Sequence, residues 1–76
     1  MIFVYGTDSC VFCSWAVNDC KKHKKEYTFK NITYKKFYNE MIERGGDPRE
    51  VPQIWIDNEY IGSYESFVER MIDYKI

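Results

Sequence analysis

Seventy-six residues make one domain, 1–76, and a chain this short buries only about 60% of its unfolded surface, leaving room for one small core and no second module. Hydrophobic residues supply 45% of the chain and aromatics 18%, which favours a folded globule over disorder. Eleven basic against twelve acidic side chains give a net charge of −1, with no electrostatic footprint for nucleic acid or an anionic membrane. Met1 runs directly into Ile2-Phe3-Val4-Tyr5, without a basic leader or an apolar stretch of about 18 residues, so the sequence reads as soluble and cytoplasmic.

Ile2 to Tyr5, closed by Gly6, predicts a short, largely buried strand. Thr7-Asp8-Ser9 predicts a turn, with Asp8 or Ser9 as the cap of a helix beginning at Val11. Along that helix Cys13, Ala16, Val17 and Cys20 recur on one face, and Lys21, Lys22, Lys24 and Lys25 sit at the end where the macrodipole favours cations. We read the lysine run as a solvated terminus. Tyr27 to Ile32 alternates as an outer strand should. Thr33 is the expected cap of a second helix whose apolar stripe is Tyr34, Phe37, Tyr38, Met41 and Ile42, stopped by Gly45-Gly46-Asp47-Pro48. Gln53 to Asp57 and Glu59 to Gly62 predict an antiparallel hairpin turning at Asp57-Asn58. Ser63, or Ser66 with Glu69 in a capping box, should open a last helix that buries Phe67, Val68, Met71 and Ile72. The order is β-α-β-α-β-β-α: an α/β fold with a four-stranded mixed sheet flanked by three helices, opened by a right-handed parallel βαβ unit.

All three cysteines fall between positions 10 and 20, unlike the spread, even set of a secreted disulfide scaffold. A CxxC placed directly after a strand and at a helix start is a redox signature. Unpaired N–H groups and the positive dipole end favour a thiolate at Cys10, and Cys13 lies one turn deeper, able to release a mixed disulfide. A zinc site from Cys10, Cys13, Cys20 and His23 is disfavoured, because Cys13 and Cys20 on one helix lie about 10 Å apart along its axis. No metal site is expected. Cys20 reads as core, His23 as a surface or half-buried side chain, and Phe12 with Trp15 as an apolar rim beside the thiols.

Three separated segments resemble the glutaredoxins: Tyr5-Gly6-Thr7-Asp8-Ser9-Cys10-Val11-Phe12-Cys13, Val51-Pro52-Gln53-Ile54-Trp55-Ile56-Asp57, and Ile61-Gly62-Ser63-Tyr64-Glu65-Ser66-Phe67. They are similar to that family's strand-turn-CPYC, TVPQIFI and IGG-x-DDL segments, and among its members the small phage-type dithiol proteins show similar loops. The resemblance implies a minimal thioredoxin fold and a thiol-disulfide oxidoreductase, with Cys10 attacking and Cys13 resolving. It further implies a cis Val51-Pro52 bond beside the thiols, where a substrate backbone docks, and a γ-glutamyl carboxylate held near Glu65 and Ser66 at the last helix start.

Glutathione is the implied co-substrate, with no tightly bound cofactor; its expected contacts are Thr7, Phe12, Glu50, Val51, Pro52, Gly62, Ser63, Glu65 and Ser66. The implied partners are a disulfide-bearing client protein, with ribonucleotide reductase as a candidate, and the implied state is a monomer. The family range of roughly −200 to −230 mV suits a cytosolic reductant. Val11 and Phe12 replace the proline and tyrosine of CPYC, Thr7 stands where many members carry a basic residue, and Glu50 and Ser63 replace a threonine and a glycine. These departures predict weaker glutathione affinity and a protein disulfide as the main substrate. Two alternative uses of the same architecture are a glutathione-bridged iron-sulfur carrier, coloured and dimeric, and a redox-dead scaffold that docks peptides beside Pro52.

Overall fold

Seven elements follow one another as β1 (Ile2–Gly6), α1 (Val11–Lys22), β2 (Tyr27–Asn31), α2 (Lys35–Glu43), β3 (Gln53–Ile56), β4 (Glu59–Gly62) and α3 (Tyr64–Tyr74). The computed structural model describes residues 1–74, with side chains through position 71; the predicted burial of Ile72 lies outside the described residues. The strands form one sheet ordered β2-β1-β3-β4. β1 runs parallel to β2 and antiparallel to β3, and β3 pairs antiparallel with β4, as the element order predicts. The hairpin turns with Asp57 at φ +56°, so β3 ends at Ile56, one residue short of the expected strand.

Alternation along the two central strands divides the interior. Ile2 and Val4 of β1 and Ile54 and Ile56 of β3 meet Ala16 and Cys20 of α1 and Phe67 and Met71 of α3 on one face. Tyr5 and Trp55 meet Met41 of α2 on the other, with Phe3 and Ile32 packed alongside. Complete burial of each large apolar side chain is worth about 1.5–3 kcal/mol, so these two clusters hold the helices to the sheet. Every residue of β3 is buried, including Gln53, which periodicity alone does not mark as polar core. Its Oε1 accepts from the Asp47 N–H (3.1 Å) and the Tyr60 hydroxyl (2.6 Å), tying the loop before Pro52 to the hairpin.

The second helix departs from its predicted stripe. Only Met41 is buried, while Tyr34, Tyr38 and Ile42 are 63%, 39% and 41% exposed. Cationic side chains cover the sheet's aromatic faces instead: the Arg44 guanidinium lies 4.4 Å from the Phe3 ring centroid, and Lys30, 5.6 Å from the same centroid, pairs with Glu40 at 2.8 Å. Thr33 does not cap this helix. Its N–H and hydroxyl both donate to Asn31 Oδ1 (2.9 and 2.7 Å), so the cap position passes to Tyr34, which makes no side-chain cap bond.

Both helix ends that sequence chemistry marks are closed by two backbone bonds. After α2, Gly45 at φ +91° and Gly46 donate to Ile42 and Met41 carbonyls (2.9 and 3.0 Å). After α1 the same left-handed position is taken by Lys24 at φ +55°, with Lys25 N–H on the Cys20 carbonyl at 2.9 Å. The last helix begins at Tyr64 directly after Ser63, whose carbonyl accepts from Phe67 N–H at 3.0 Å; Ser66 and Glu69 lie inside the helix, so the alternative capping box is not formed.

Candidate active site

The turn leaving β1 brings Cys10 to the mouth of α1. Cys10 N–H donates to the Thr7 carbonyl at 3.4 Å, and its backbone is extended (φ −85°, ψ 113°), the conformation of a helix cap. The cap is therefore Cys10, not Asp8 or Ser9, which lie too early in the chain to reach the first-turn amides. Cys13 N–H donates to Cys10 Sγ at 3.1 Å. One of the helix's orphan donors is thus aimed at the outer sulfur, and an ionised sulfur accepts such a bond more strongly than a neutral thiol does.

The two sulfurs occupy different environments. Cys10 is half-buried, whereas Cys13 is 1% exposed, so a bulky disulfide meets Cys10 first. Burial pushes the Cys13 thiol up to about 12, reinforced by its interaction with Cys10 and only partly opposed by the Thr7 backbone. Gly6 makes this depth available: a Cβ there would overlap Cys13 Sγ and stand 3.2 Å from Cys13 Cβ. Cys20 sits fully buried in the α1–α3 face of the core, as predicted, and burial lifts its thiol to about 11. Among the described residues no three His, Cys, Asp or Glu side chains are gathered to hold a metal ion.

Beside the first turn of α1 opens a cleft of about 530 Å³ lined by Phe12, Arg49, Glu50, Val51, Pro52, Ser63, Tyr64 and Glu65. It is floored by the cis Val51-Pro52 peptide bond, with Pro52 buried and Val51 half-buried. Six of the residues expected to contact a substrate are brought together here: Phe12, Glu50, Val51, Pro52, Ser63 and Glu65. Three are not. Thr7 lines a separate recess of about 330 Å³ behind Cys13, between α1 and β2, because the turn carries it to the other side of the thiols. Gly62 is buried at φ +105° beside Tyr60 and Ser66, where its role is a backbone conformation that other residues rarely adopt. Ser66, three residues into α3, lines a recess against β4 with Glu59 and Tyr60.

Sequence reasoning missed two cleft residues. Arg49 is held by Asp47 in a fork, Nε to Oδ1 at 3.1 Å and NH2 to Oδ2 at 2.9 Å, and its own N–H also donates to Oδ1 at 2.9 Å. That fork draws the Asp47 carboxyl below the usual carboxylate range. The Asp47-x-Arg49 spacing, one residue before Val51-Pro52, was the available signal. Tyr64 joins the predicted rim: its ring lies 5.9 Å from Phe12 and 5.8 Å from Trp15, which themselves meet edge to face at 5.1 Å. Its hydroxyl donates to Asp19 at 2.8 Å, and burial followed by that carboxylate pushes the phenol up to about 12. Phe12 and Trp15 remain 50% and 47% exposed, so the rim is open as predicted.

Comparison with known proteins bears on the same arrangement. The glutaredoxin family model matches residues 2–61. No curated protein sequence matches the chain. Among solved structures, a buckwheat glutaredoxin–glutathione complex superposes with a TM-score of 0.79 at 19% identity, covering 97% of this chain and 70% of the other. Reduced Escherichia coli glutaredoxin gives 0.77 at 22% identity, covering 95% and 93%. Glutaredoxin 1 from Francisella tularensis, complexed with cacodylate, gives 0.75 at 26% identity, covering 97% and 94%. Among the described residues no helix is long and apolar enough to cross a membrane. A family match over most of the sequence, a four-stranded mixed sheet in a thioredoxin-like arrangement and a CxxC at the first helix start agree with one another, and the chain belongs to the glutaredoxin family of thiol-disulfide oxidoreductases.

Proposed function

We propose that the chain reduces glutathione mixed disulfides and protein disulfides by a dithiol mechanism. The observation that carries the proposal is the vertical order of the two sulfurs, with Cys10 half-exposed at the helix cap and Cys13 sealed beneath it. The Cys10 thiolate attacks one sulfur of a substrate disulfide R–S–S–R′, forming Cys10–S–S–R and releasing R′S⁻, which takes a proton from solvent. Cys13, losing its proton, then attacks the Cys10 sulfur. The Cys10–Cys13 disulfide forms, RS⁻ leaves, and the electron pair of the dithiol has passed to the substrate. The burial that raises the Cys13 thiol keeps it protonated until this second step, so it does not compete for the first attack.

Val51 supports the docking half of the reading. Its backbone makes no hydrogen bond among the described residues, which leaves an N–H and a C=O for an extended segment beside the cleft. Glutathione is the proposed co-substrate, in line with the glutathione bound by the buckwheat relative. Its γ-glutamyl carboxylate would meet the first-turn amides of α3 at Ser63, Tyr64 and Glu65, without the Ser66 hydroxyl. Among the described residues Arg49 is the one cation lining the cleft, and it would be the partner of the glutathione glycyl carboxylate. Client proteins carry the disulfide in a reducing compartment such as the cytoplasm, with ribonucleotide reductase the candidate that the resemblance names.

The test compares wild type, Cys10→Ser and Cys13→Ser with a glutathione mixed disulfide and with a protein disulfide. Cys10→Ser should abolish both reactions. Cys13→Ser should retain turnover of the glutathione substrate and trap the protein substrate as a mixed disulfide. Full activity in Cys10→Ser would refute the assignment, and a coloured, dimeric purified protein would favour the cluster-carrying alternative.

A further inference from the structure

The charges around the cleft are unequal. Glu50 and Glu65 line it with exposed side chains, and neither carboxylate is in an ion pair among the described residues. Among the described residues Arg49 is the only cation lining the cleft, and its guanidinium is forked onto Asp47 while also feeling the Glu50 charge. One positive charge therefore answers three carboxylates. Phe12 and Tyr64 line the same cleft, their rings 5.9 Å apart, and Phe12 is half exposed and meets Trp15 edge to face at 5.1 Å. Unpaired carboxylates and aromatic rings lining one cleft form a surface that suits a guanidinium or ammonium group, which gains from both.

We infer that the cleft selects disulfides flanked by arginine or lysine and discriminates against those flanked by acidic residues. The inference rests on the dithiol reading and names its substrate class: a cationic peptide or protein segment laid along Val51, with the cysteine at Cys10 and a neighbouring basic side chain between Glu50 or Glu65 and the Phe12–Tyr64 rings. Glutathione, with two carboxylates and one ammonium group, is a weaker fit on the same grounds. Both acids are solvent-exposed, so the selection is graded and sensitive to salt.

Three peptide disulfides, identical except for Arg, Ala or Glu on either side of the cysteine, test this directly. Measured as kcat/KM at about 20 mM salt, the order should be Arg, then Ala, then Glu, with Arg over Glu by roughly tenfold and the ratio shrinking to about twofold near 1 M salt, where charges more than about 3 Å apart are screened. Glu50→Lys with Glu65→Lys should invert the order. Equal rates for the three peptides in wild type, with the Ala peptide reduced normally, would overturn charge selection while leaving the dithiol mechanism standing. Failure to reduce any peptide would overturn both. A preference for Arg that survives both high salt and the double charge reversal would also overturn the assignment, because it would lie with the aromatic rim alone.

Discussion

Replacing Gly6 with alanine tests how the depth of Cys13 is built. Gly6 ends β1, pairs with Asn31 across the parallel ladder, and accepts from Ile32 N–H at 2.9 Å, so its backbone cannot move far without loosening β1 from β2. The added methyl would overlap Cys13 Sγ and crowd Cys13 Cβ at 3.2 Å, and neither φ nor a turn enters, since Gly6 does not occupy the left-handed region. Overpacking of this kind costs about 1–3 kcal/mol, and roughly 2 kcal/mol is expected here because the obstacle is a short, buried side chain anchored on a helix backbone. For a domain stable by about 0.05–0.15 kcal/mol per residue, that is a large share of the total. The measurement is a double-mutant cycle in urea under reducing conditions, with Gly6→Ala made in wild type and in Cys13→Ala. Removing the sulfur should recover more than half of the alanine penalty, giving a coupling of about 1 kcal/mol or more. An undiminished penalty in the Cys13→Ala background would refute the contact as its cause. In the single variant, a Cys13 pushed out of place should also lengthen the lifetime of the client mixed disulfide.

Three further outcomes follow from the same geometry. At neutral pH under native conditions, limiting iodoacetamide should modify Cys10 alone, and peptide mass mapping that finds Cys13 or Cys20 modified at a comparable rate would contradict their burial. Alkaline stability should fall in a defined window: Cys13 is raised in the folded state to about 12 and Cys20 to about 11 from an ordinary 9, so both are neutral in either state below pH 9 and their contribution is intact there. As pH rises from 9 towards 12 the unfolded thiols ionise first, and each group costs about 1.4 kcal/mol per pH unit until its folded value is passed. Urea midpoints of Cys13→Ala against wild type between pH 8 and about 10.5 should show a shallower fall in the variant. Lys24→Gly should raise the unfolding free energy by about 1 kcal/mol, because Lys24 holds φ +55° at the position after α1 where glycine carries no Cβ penalty; a loss of stability would show that the lysine side chain is needed there.

The order of elements, the parallel βαβ unit, the hairpin and the placement of the paired cysteines at the first helix start were legible in the chain because each rests on short-range chemistry: a 2- or 3.6-residue period, a glycine stop, a CxxC spacing. The cis Val51-Pro52 bond came from the family resemblance. Tertiary structure decided what depends on several segments at once. Cys10 became the cap of α1 because of its backbone angles, although Asp8 and Ser9 are the better capping chemistries. The stripe of α2 narrowed to Met41 because Arg44 and Lys30, remote from one another in sequence, both lie over the Phe3 ring on the sheet face it would have covered. Membership of the cleft was likewise a matter of tertiary placement: Thr7 and Ser66 lie within the right motifs yet open onto other recesses, while Arg49 and Tyr64 line the cleft. Sequence alone thus determined where the proposed reacting thiols sit in the chain of elements, since a thiol pair at a helix start is a local property. Only the packed sheet and helices decided how deep each sulfur lies and which charges surround it, since burial and electrostatic environment are sums over parts of the chain that meet only in the fold.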